Sequence, residues 1–393
     1  MYLLTIFTIL IFILGFLEYY FHQKRINKIP IRIHVNGTRG KSTTVRLIAA
    51  SLREAGYRVL AKTTGTSPRI ILENGQEETI KRKGAANIIE QKYFIKKAVV
   101  KNCNAIVMEC MAVHPETQWV SEHQLIKSTI GVITNVREDH QDVYGPSLKD
   151  CAEALKLTIP KKGYLVTAEK KFFSLFQQQA KKLKTQCLLA DPDKMVKDGK
   201  VKSEIFYFRD NVAIALQVGN LLGINKKTIL QGISKATPDP GALTIYQLEQ
   251  DKKQLWFINA FAANDRESIL IIWNKINQLL PKEMDDSLRI AIINHRDDRI
   301  TRTLQFDKIL TRDLCFDYLM LAGPTSRLSE RKLIQFGYPS KKIYRINKKE
   351  TVSDVVKKIF RLSKKNIIVY GLGNTRGFGM EIMEHLKEKG DKI

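Results

Sequence analysis

The sequence is poor in cysteine and lacks paired cysteine motifs. Only five cysteines occur among 393 residues, and no two of them are spaced as C-x-x-C. An odd number without such pairs is not the pattern of a disulfide-stapled secreted domain. The composition therefore predicts reduced thiols on the cytosolic side of a membrane. The five residues are Cys103, Cys110, Cys151, Cys187 and Cys315.

Acidic residues are scarce relative to basic ones, and motifs for nucleic acids are missing. The chain has 65 lysines and arginines against 40 aspartates and glutamates, a formal net charge of +25. Such an excess favours an anionic partner: a nucleic acid, an acidic membrane, or an acidic substrate or polymer. The basic residues are spread along the chain, without a zinc finger or an aromatic-basic RNA motif. We therefore expect no nucleic-acid partner, and a solvated basic surface accounts for much of the charge.

The long hydrophobic run of the sequence stands at its N-terminus. Residues Tyr2 to Leu17 are almost wholly apolar, and Tyr19 to Phe21 extend the run. A helix of about 20 such residues crosses the hydrocarbon core of a bilayer. A basic n-region and a small-residue cleavage site are missing, so a cleaved signal peptide is not expected. The basic segment 24–28 follows, which predicts a single anchor over residues 1–22 with the rest cytoplasmic. A buried core helix is the alternative.

A glycine-rich turn links the first predicted strand, Ile31 to Val35, to a helix-period run, Thr44 to Ala55. This is the context of a phosphate-binding loop, because the turn aims N–H groups at an anion and the helix N-terminus adds partial positive charge. Lys41 can reach the terminal phosphates of a nucleotide, and the Ser42 hydroxyl can hold Mg²⁺. The strict spacing G-x-x-x-x-G-K-[ST] is not met, so an ordinary turn is the alternative. The turn comprises Gly37, Thr38, Arg39, Gly40, Lys41, Ser42 and Thr43.

Two further polar clusters follow predicted buried strands. The strand Ala105 to Glu109 ends on a carboxylate, and the strand Ser128 to Asn135 runs into a charged cluster that contains Asp139 and His140. Sites form at the carboxyl ends of parallel strands. Glu109 and His140 are therefore candidate metal-binding or catalytic groups. A structural charge and a structural histidine are the respective alternatives.

Alternating strands and helices continue to the C-terminus, without sequence repeats or low-complexity segments. The turn T-P-D-P-G at 237–241 is the clearest linker, and the strand-helix units after it predict a second parallel α/β domain. We predict an anchor over residues 1–22, a P-loop domain over 23–240 and a smaller Rossmann-like domain over 241–393. The last glycine-rich loop, at 371–379, is either an anion-binding turn or only a tight turn.

The motifs together resemble the Mur ligase superfamily, whose members form amide bonds at the expense of ATP. The segment T-N-V-R-E-D-H-Q-D-V-Y-G at 134–145 is similar to its T-N-x-x-x-D-H-x-D-x-x-G signature. The segment T-S-P at 66–68 resembles a loop of its folylpolyglutamate synthase branch. The short P-loop G-T-x-G-K-S-T is the form that this superfamily uses, and Glu109 stands at the position of its Mg²⁺-binding glutamate.

Within the superfamily, the chain resembles the ligase subunits of poly-γ-glutamate synthases, the CapB/PgsB type. These pair an N-terminal membrane anchor with a Mur-like body that lacks a UDP-binding domain. The likeness extends to the segments E-C-M-A-V at 109–113, P-D-P-G-A-L at 238–243 and N-A-F-A-A-N-D at 259–265. It implies an α/β fold: one transmembrane helix, a P-loop-containing Mur-ligase-like central domain with a parallel sheet, and a smaller Rossmann-like C-terminal domain.

The resemblance also implies roles for single residues around ATP and metal. Lys41 and the backbone of the glycine-rich turn would hold the ATP phosphates, while Ser42 and Glu109 would bind one Mg²⁺. His140 would serve a second metal position together with Ser67, or orient the acceptor or a water. Lys156 is a counterpart of the carbamoylated lysine of many relatives, although its surroundings differ from the usual pattern.

Further implied contacts concern the nucleotide itself. Asn211, at the start of an apolar helix, would contact adenine. Asp265 stands where a D-x-x-H-N-P-like segment of the family contacts the nucleotide, but the usual His-Asn-Pro is replaced here by A-N-D at 263–265. Arg302 lies, with Arg296 and Arg299, in a segment where a basic residue reaches the phosphates.

The implied activity is that of an ATP-dependent acid–amino-acid ligase that forms ADP and phosphate. It would polymerise glutamate through γ-amide bonds by way of an acyl phosphate, for a capsule or a released polymer. The implied partners are glutamate, the anionic polymer and membrane subunits of the synthase, with homo-oligomers as an option. Three alternatives stay open: a folylpolyglutamate-type ligase acting on a small acceptor, a P-loop NTPase or kinase, and a nucleotide-switched scaffold.

Overall fold

The computed structural model describes residues 2–65, 68–82, 84, 86–196, 209–239, 243–263, 265–295 and 300–392, with the backbone alone for 300–305. The helices are α1 Tyr2–Asn27, α2 Lys41–Glu54, α3 Glu90–Val100, α4 Pro115–Val120, α5 Gln141–Tyr144, α6 Leu148–Leu155, α7 Phe173–Lys182, α8 Pro192–Met195, α9 Arg209–Leu221, α10 Lys226–Ser234, α11 Arg266–Leu279, α12 Ile300–Arg312, α13 Ser326–Gln335, α14 Val352–Arg361 and α15 Phe378–Lys389. The strands are β1 Ile31–Asn36, β2 Val59–Thr63, β3 Arg69–Ile71, β4 Glu77–Thr79, β5 Ala105–Glu109, β6 Ile130–Ile133, β7 Tyr164–Thr167, β8 Gln186–Leu189, β9 Thr244–Gln250, β10 Lys253–Asn259, β11 Leu288–Asn294, β12 Tyr318–Ala322, β13 Ile343–Arg345, β14 Ile367–Leu372 and β15 Asp391–Lys392.

The described residues up to Asp239 form one compact unit, and those from 243 onward form a second. The sheet of the first unit has the order β4-β3-β2-β5-β1-β6-β7-β8. In this order the six neighbouring strands β2, β5, β1, β6, β7 and β8 run parallel, and β3 and β4 add an antiparallel hairpin at one edge. Parallel strands covered by helices are buried on both faces. This explains the continuous apolar run of β5, whose five residues are all buried.

Helix α1 is longer than the apolar run that predicts it. Its first twenty residues, Tyr2 to Phe21, are all exposed. An 18-residue window of the helix has a mean hydropathy of 2.1, so the helix is long and apolar enough to cross a membrane. The last turns differ, because Ile26 and the following Ile29 are buried in a core with Phe94 of α3. His22 Nε2 also lies 2.9 Å from the carbonyl oxygen of Leu125. The C-terminal end of the apolar helix is therefore packed into the first unit.

The sheet of the second unit has the order β13-β12-β11-β14-β10-β9-β15. The neighbouring strands β13, β12, β11, β14 and β10 run parallel, whereas β9 and β15 are antiparallel to their neighbours. The core packs α14 and α15 against the sheet, with Phe257, Val369 and Ile382 among its buried residues. The α/β fold with parallel sheets that the sequence predicts is thus confirmed.

Candidate active site

The glycine-rich turn lies where three central strands of the first unit end. Strand β1 pairs with β5 on one side, where Val35 stands opposite Glu109, and with β6 on the other, where Asn36 stands opposite Ile133. The turn leaves β1 at Gly37, and the signature segment leaves β6 at Thr134. The carboxyl ends of parallel strands thus bring the turn, Glu109 and the signature to one edge of the sheet.

The backbone of the turn depends on its two glycines. Gly37 has φ 124° and Gly40, the residue before α2, has φ 78°, a region that residues with a Cβ rarely adopt. Space is equally restrictive, since a Cβ on Gly37 would lie 2.1 Å from Thr134 Oγ1 and one on Gly40 2.6 Å from Asn211 Oδ1. Gly40 also provides no side chain to cap the helix. The first turn of α2, from Lys41 to Thr43, therefore offers its N–H groups to an anion.

The Lys41 side chain folds back over the turn. Its Nζ donates hydrogen bonds to the carbonyl oxygens of Gly37 at 2.7 Å and Thr38 at 3.3 Å. This places an ammonium group above the same turn whose N–H groups face an anion. A phosphate bound there would meet both kinds of donor.

Ser42 and Glu109 form a close pair of oxygen donors beside the turn. Ser42 Oγ donates to Glu109 Oε2 at 2.8 Å, and the backbone N–H of Thr64 donates to the same oxygen at 2.7 Å. Burial raises the pKa of Glu109, although nearby Lys41 and these hydrogen bonds oppose the rise. A buried carboxylate of this kind gains from a cation, and a hydroxyl with a carboxylate is a ligand set that suits Mg²⁺. The residues therefore fit a Mg²⁺ ion that keeps several water ligands.

The signature segment holds the turn in place. Asn135 Oδ1 accepts hydrogen bonds from Thr38 Oγ1 at 2.7 Å and from the N–H of Arg39 at 3.0 Å. Thr134 Oγ1 donates to the carbonyl oxygen of Arg39 at 2.7 Å, and the Arg39 guanidinium pairs with Asp139 at 3.2 Å. The sequence places Thr134 and Asn135 in the signature but does not reveal this task, which depends on the neighbouring strands β1 and β6.

His140 lies beside Asp139, the residue that pairs with Arg39 of the turn. It has φ 46° and precedes α5; its Nε2 is 3.9 Å from Asp139 Oδ2, and its ring meets the Tyr144 ring edge-on at 6.0 Å. Within the described residues, no three His, Cys, Asp or Glu side chains are grouped to hold a metal ion. The structure thus brings Ser42 and Glu109 together, while the metal role of His140 stays a prediction. Ser67 lies outside the described residues.

A buried amide network that the sequence does not reveal supports the turn from below. Gln118 of α4 accepts a hydrogen bond from Asn36 Nδ2 at 2.8 Å and donates to Tyr144 Oη at 3.2 Å. Asn36 is the last residue of β1, directly before Gly37. Gln118 thus links the start of the turn to α5, and a lone glutamine in an undistinguished segment gives no sequence signal for such a role.

Asn211 of α9 lies against the turn. Its side chain is buried beside Gly40, and its Nδ2 has no hydrogen-bond partner among the described residues. Buried amides rarely lack partners, so this group suits a polar ligand. Its contact with adenine stays a prediction. Lys156 forms an ion pair with Glu153, and its carbamoylation stays a prediction.

Among the nucleotide-contacting residues predicted in the second unit, Asp265 is described with its side chain. Asp265 is buried and caps α11, since its Oδ1 accepts from the N–H of Ser268 at 2.9 Å and its Oδ2 from Ser268 Oγ at 2.7 Å. Arg302 belongs to α12, but its side chain is outside the description. Asn264, Arg296 and Arg299 also lie outside the described residues. The nucleotide contacts of this unit therefore stay predictions.

Comparison with known proteins identifies the family. The model of the Mur ligase middle domain matches residues 35–229, and that of the poly-gamma-glutamate synthase CapB C-terminal domain matches residues 245–389. PGA synthase CapB of Bacillus subtilis (strain 168) is 38% identical over 390 residues, which cover 99% of this chain and 98% of that protein. The chain belongs to the CapB family. Capsule biosynthesis protein CapB of Bacillus anthracis is 36% identical over 390 residues, 99% of this chain and 83% of that protein.

A solved structure shares the fold of this CapB-family chain. The bifunctional folylpolyglutamate synthase/dihydrofolate synthase from Yersinia pestis, complexed with AMPPNP and Mn ion, superimposes with a TM-score of 0.67. It is 15% identical, and the match covers 94% of this chain and 92% of that one. The resemblance to Mur ligases and to CapB-type subunits that the sequence motifs indicate is confirmed.

Proposed function

We propose that this chain is an ATP-dependent amide ligase that polymerises glutamate through γ-amide bonds. The observation that carries the proposal is the Ser42–Glu109 pair beside the P-loop of a CapB-family chain. Amide formation from a carboxylate requires activation of that carboxylate. Attack of a carboxylate oxygen on the γ-phosphate of ATP gives an acyl phosphate and ADP. The amine of a glutamate then attacks the acyl carbon, and phosphate leaves.

The residues at the sheet edge suit phosphoryl transfer, which depends mainly on positioning and charge neutralisation. The N–H groups of the first turn of α2 and the Lys41 ammonium bind and orient the phosphates. Asn135 and Thr134 keep the turn in the shape that aims these donors. Asn211, with its unpartnered amide, takes the adenine end of the nucleotide.

Ser42 and Glu109 are the residues that hold Mg²⁺ in this proposal. When bound, Mg²⁺ neutralises charge on the transferred phosphoryl group. The Yersinia pestis relative carries AMPPNP and a Mn ion, which supports a divalent cation with a nucleotide on this fold. We assign to His140 either the second metal position or the orientation of the acceptor, and to Asp265 and Arg302 contacts with the nucleotide.

Helix α1 anchors the enzyme in a membrane in this proposal, with the two units, divided near residue 240, in the cytoplasm. Its exposed apolar surface and its length support the anchor. The basic segment 24–28 after it supports the orientation. The net charge of +25 suits an anionic substrate and an anionic product, and membrane subunits of the synthase are the expected partners.

The test is ATP turnover by the full-length chain with its membrane partners, Mg²⁺ and labelled glutamate. We expect ADP and phosphate to appear only as label enters the polymer. Lys41→Ala should lower this turnover by about 1,000-fold, because a charge-assisted contact to the transferring phosphates is lost. The matched control is Lys194→Ala in the same unit, where the side chain is 84% exposed; it should behave as wild type.

Other outcomes identify the alternatives. Glutamate-independent ATP turnover would indicate an NTPase, and addition of glutamate to a folate-type acceptor would indicate a folylpolyglutamate-type ligase. Tight nucleotide binding without turnover would indicate a scaffold. Wild-type turnover by Lys41→Ala would contradict the assignment of the P-loop.

A further inference from the structure

A cluster of charged groups around the buried Lys62, next to the active site, has no task in the reaction described above. Lys62 of β2 donates from Nζ to Glu90 Oε2 at 3.0 Å and lies 3.6 Å from Met111 Sδ. Arg82 binds the same carboxylate, with Nε to Oε1 at 2.7 Å and Nη2 to Oε2 at 3.1 Å. Two cations therefore share one carboxylate.

The cluster has an excess positive charge in a place where charge is costly. The Lys62 side chain is only 2% exposed, and lysines are almost never fully buried unless they are paired. Burial lowers the pKa of Lys62 even though the Glu90 carboxylate acts in the opposite direction. The Glu90 and Glu109 carboxylates both act to raise the pKa of Lys62 but do not offset its burial, so a further anion would stabilise the charged form of Lys62.

Arg82 has donors left for such an anion. Its Nε–Nη2 edge faces Glu90, whereas Nη1 has no partner among the described residues. A guanidinium carries five N–H donors in a planar fork and can bind a second carboxylate with the remaining ones. The side chain is 21% exposed, so a ligand can reach it without displacing Glu90.

The position of the cluster links it to the reacting groups. Thr64, two residues after Lys62, donates its N–H to Glu109, and Met111 lies two residues after Glu109. Two residues of strand span roughly 7 Å. In an extended glutamyl residue the α- and γ-carboxyl carbons are roughly 5 Å apart. A γ-carboxylate beside Glu109 therefore brings its α-carboxylate to the scale of distance at which Lys62 lies, and Arg82 shares Glu90 with Lys62.

We propose that Lys62 and Arg82 form a binding site for the α-carboxylate of the glutamyl residue whose γ-carboxylate is activated. Glu90 holds the two cations in position and leaves one net positive charge for the substrate. The site selects a free α-carboxylate at the reacting end of the polymer. This inference rests on the proposed function, which supplies the γ-glutamyl substrate.

The test compares two probes in the full-length chain with its membrane partners: tetra-γ-glutamate and the same tetramer with its reacting-end α-carboxylate converted to an amide. Wild type should prefer the acid. Arg82→Gln should raise the KM for the acid roughly 10- to 100-fold, because a charge-assisted hydrogen bond is lost, and should lose the preference over the amide. The KM for ATP should stay within about twofold. Lys97→Gln, which breaks the ion pair with Glu78 in the same unit, is the matched control and should retain the preference.

Glu90→Gln separates substrate binding from a structural ion pair. It replaces the competing carboxylate with a neutral amide whose oxygen still accepts a hydrogen bond from the cations that Glu90 positions, so the KM for the acid should stay the same or fall. If the cluster is merely structural, Arg82→Gln and Glu90→Gln will lower the thermal midpoint alike, and both will leave the preference for the acid intact. That result would overturn the proposal.

Direct binding keeps this test independent of the proposed function. Calorimetry with tetra-γ-glutamate and a nonhydrolysable ATP analogue should show acid binding that Arg82→Gln weakens and that the amide lacks. Absent glutamate-dependent turnover in wild type would contradict the proposed function. Equal binding of acid and amide to wild type would contradict this site alone.

Discussion

Two glycine-rich loops of this chain each place a glycine of positive φ before a helix, but they differ in backbone shape, with ψ 4° at Gly40 and −128° at Gly377, and in what surrounds them. The P-loop joins β1 to α2, and the loop at 373–377 joins β14 to α15. The glycine before each helix has a positive φ, 78° at Gly40 and 65° at Gly377. A Cβ on Gly40 would collide with the Asn211 side chain, whereas a Cβ on Gly377 would meet nothing within 4 Å.

The hydrogen bonds of the two loops differ as well. Asn135 accepts from a hydroxyl and an N–H of the P-loop. Asn294 instead donates from Nδ2 to the carbonyl oxygens of Asn374 and Arg376, both at 2.6 Å. After the last glycine come Lys41 and Ser42 in one case, but Phe378 and a further glycine in the other. A glycine turn at a helix N-terminus therefore becomes a phosphate site only with suitable side chains, and the second loop has the features of a tight turn.

The largest expected difference between the loops concerns their last glycines. Gly40→Ala should reduce ATP turnover on the order of 100-fold, because the Cβ would displace the turn or Asn211 by an ångström or so. Gly377→Ala faces only the backbone cost of its conformation, φ 65° and ψ −128°, on the order of 1–3 kcal/mol, and should keep its turnover. Steady-state ATP turnover and thermal unfolding of both variants test this. Equal loss of activity in the two would show that the second loop also serves the reaction.

The paired asparagines give a smaller contrast. Asn135→Ala removes the hydrogen bonds to Thr38 and Arg39 and should lower ATP turnover roughly 10-fold, since the turn loosens. Asn294→Ala leaves two loop carbonyls unpaired and should destabilise the protein by about 2 kcal/mol, with turnover unchanged. Turnover at saturating ATP and denaturant unfolding distinguish the two effects. An inactive but stable Asn294→Ala protein would contradict the comparison.

A buried carboxylate in the second unit gives an expected effect on stability alone. Burial raises the pKa of Asp307 to about 7, against a hydrogen bond from Ser329 Oγ. Because the folded pKa lies above the unfolded value, stability is full below about pH 4 and is lost as the pH rises to about 7. Asp307→Asn should therefore raise the free energy of unfolding at pH 8 by on the order of 1–3 kcal/mol, with little change at pH 4.

The same experiment on Glu109 sharpens the contrast between the units. Burial raises its pKa too, so Glu109→Gln should also stabilise the protein at pH 8, yet it should abolish ATP turnover. Denaturant unfolding at pH 4 and 8, with turnover at pH 8, measures both quantities. An active Glu109→Gln enzyme would contradict its role beside Ser42.

Local sequence patterns predict much of the frame. The strand ending at Glu109 has the predicted bounds, because four consecutive apolar residues between polar ones indicate a buried strand. The antiparallel additions β3–β4, β9 and β15 were missed. Strands β3, β4 and β15 have only two or three residues, and β9, next to the last strand of its sheet, is partly exposed, so the hydrophobic signal that marks central strands is weak in all four.

The sequence by itself determined the chemistry of the P-loop, because Gly40, Lys41 and Ser42 are adjacent in the chain and their spacing fixes strand, turn and helix. It also determined the apolar helix α1. Only the tertiary structure decided that Asn135 holds the turn, that Gln118 supports it, and that Lys62 and Arg82 share Glu90. These contacts join residues brought together by the order of strands in the sheet, and no local pattern encodes that order.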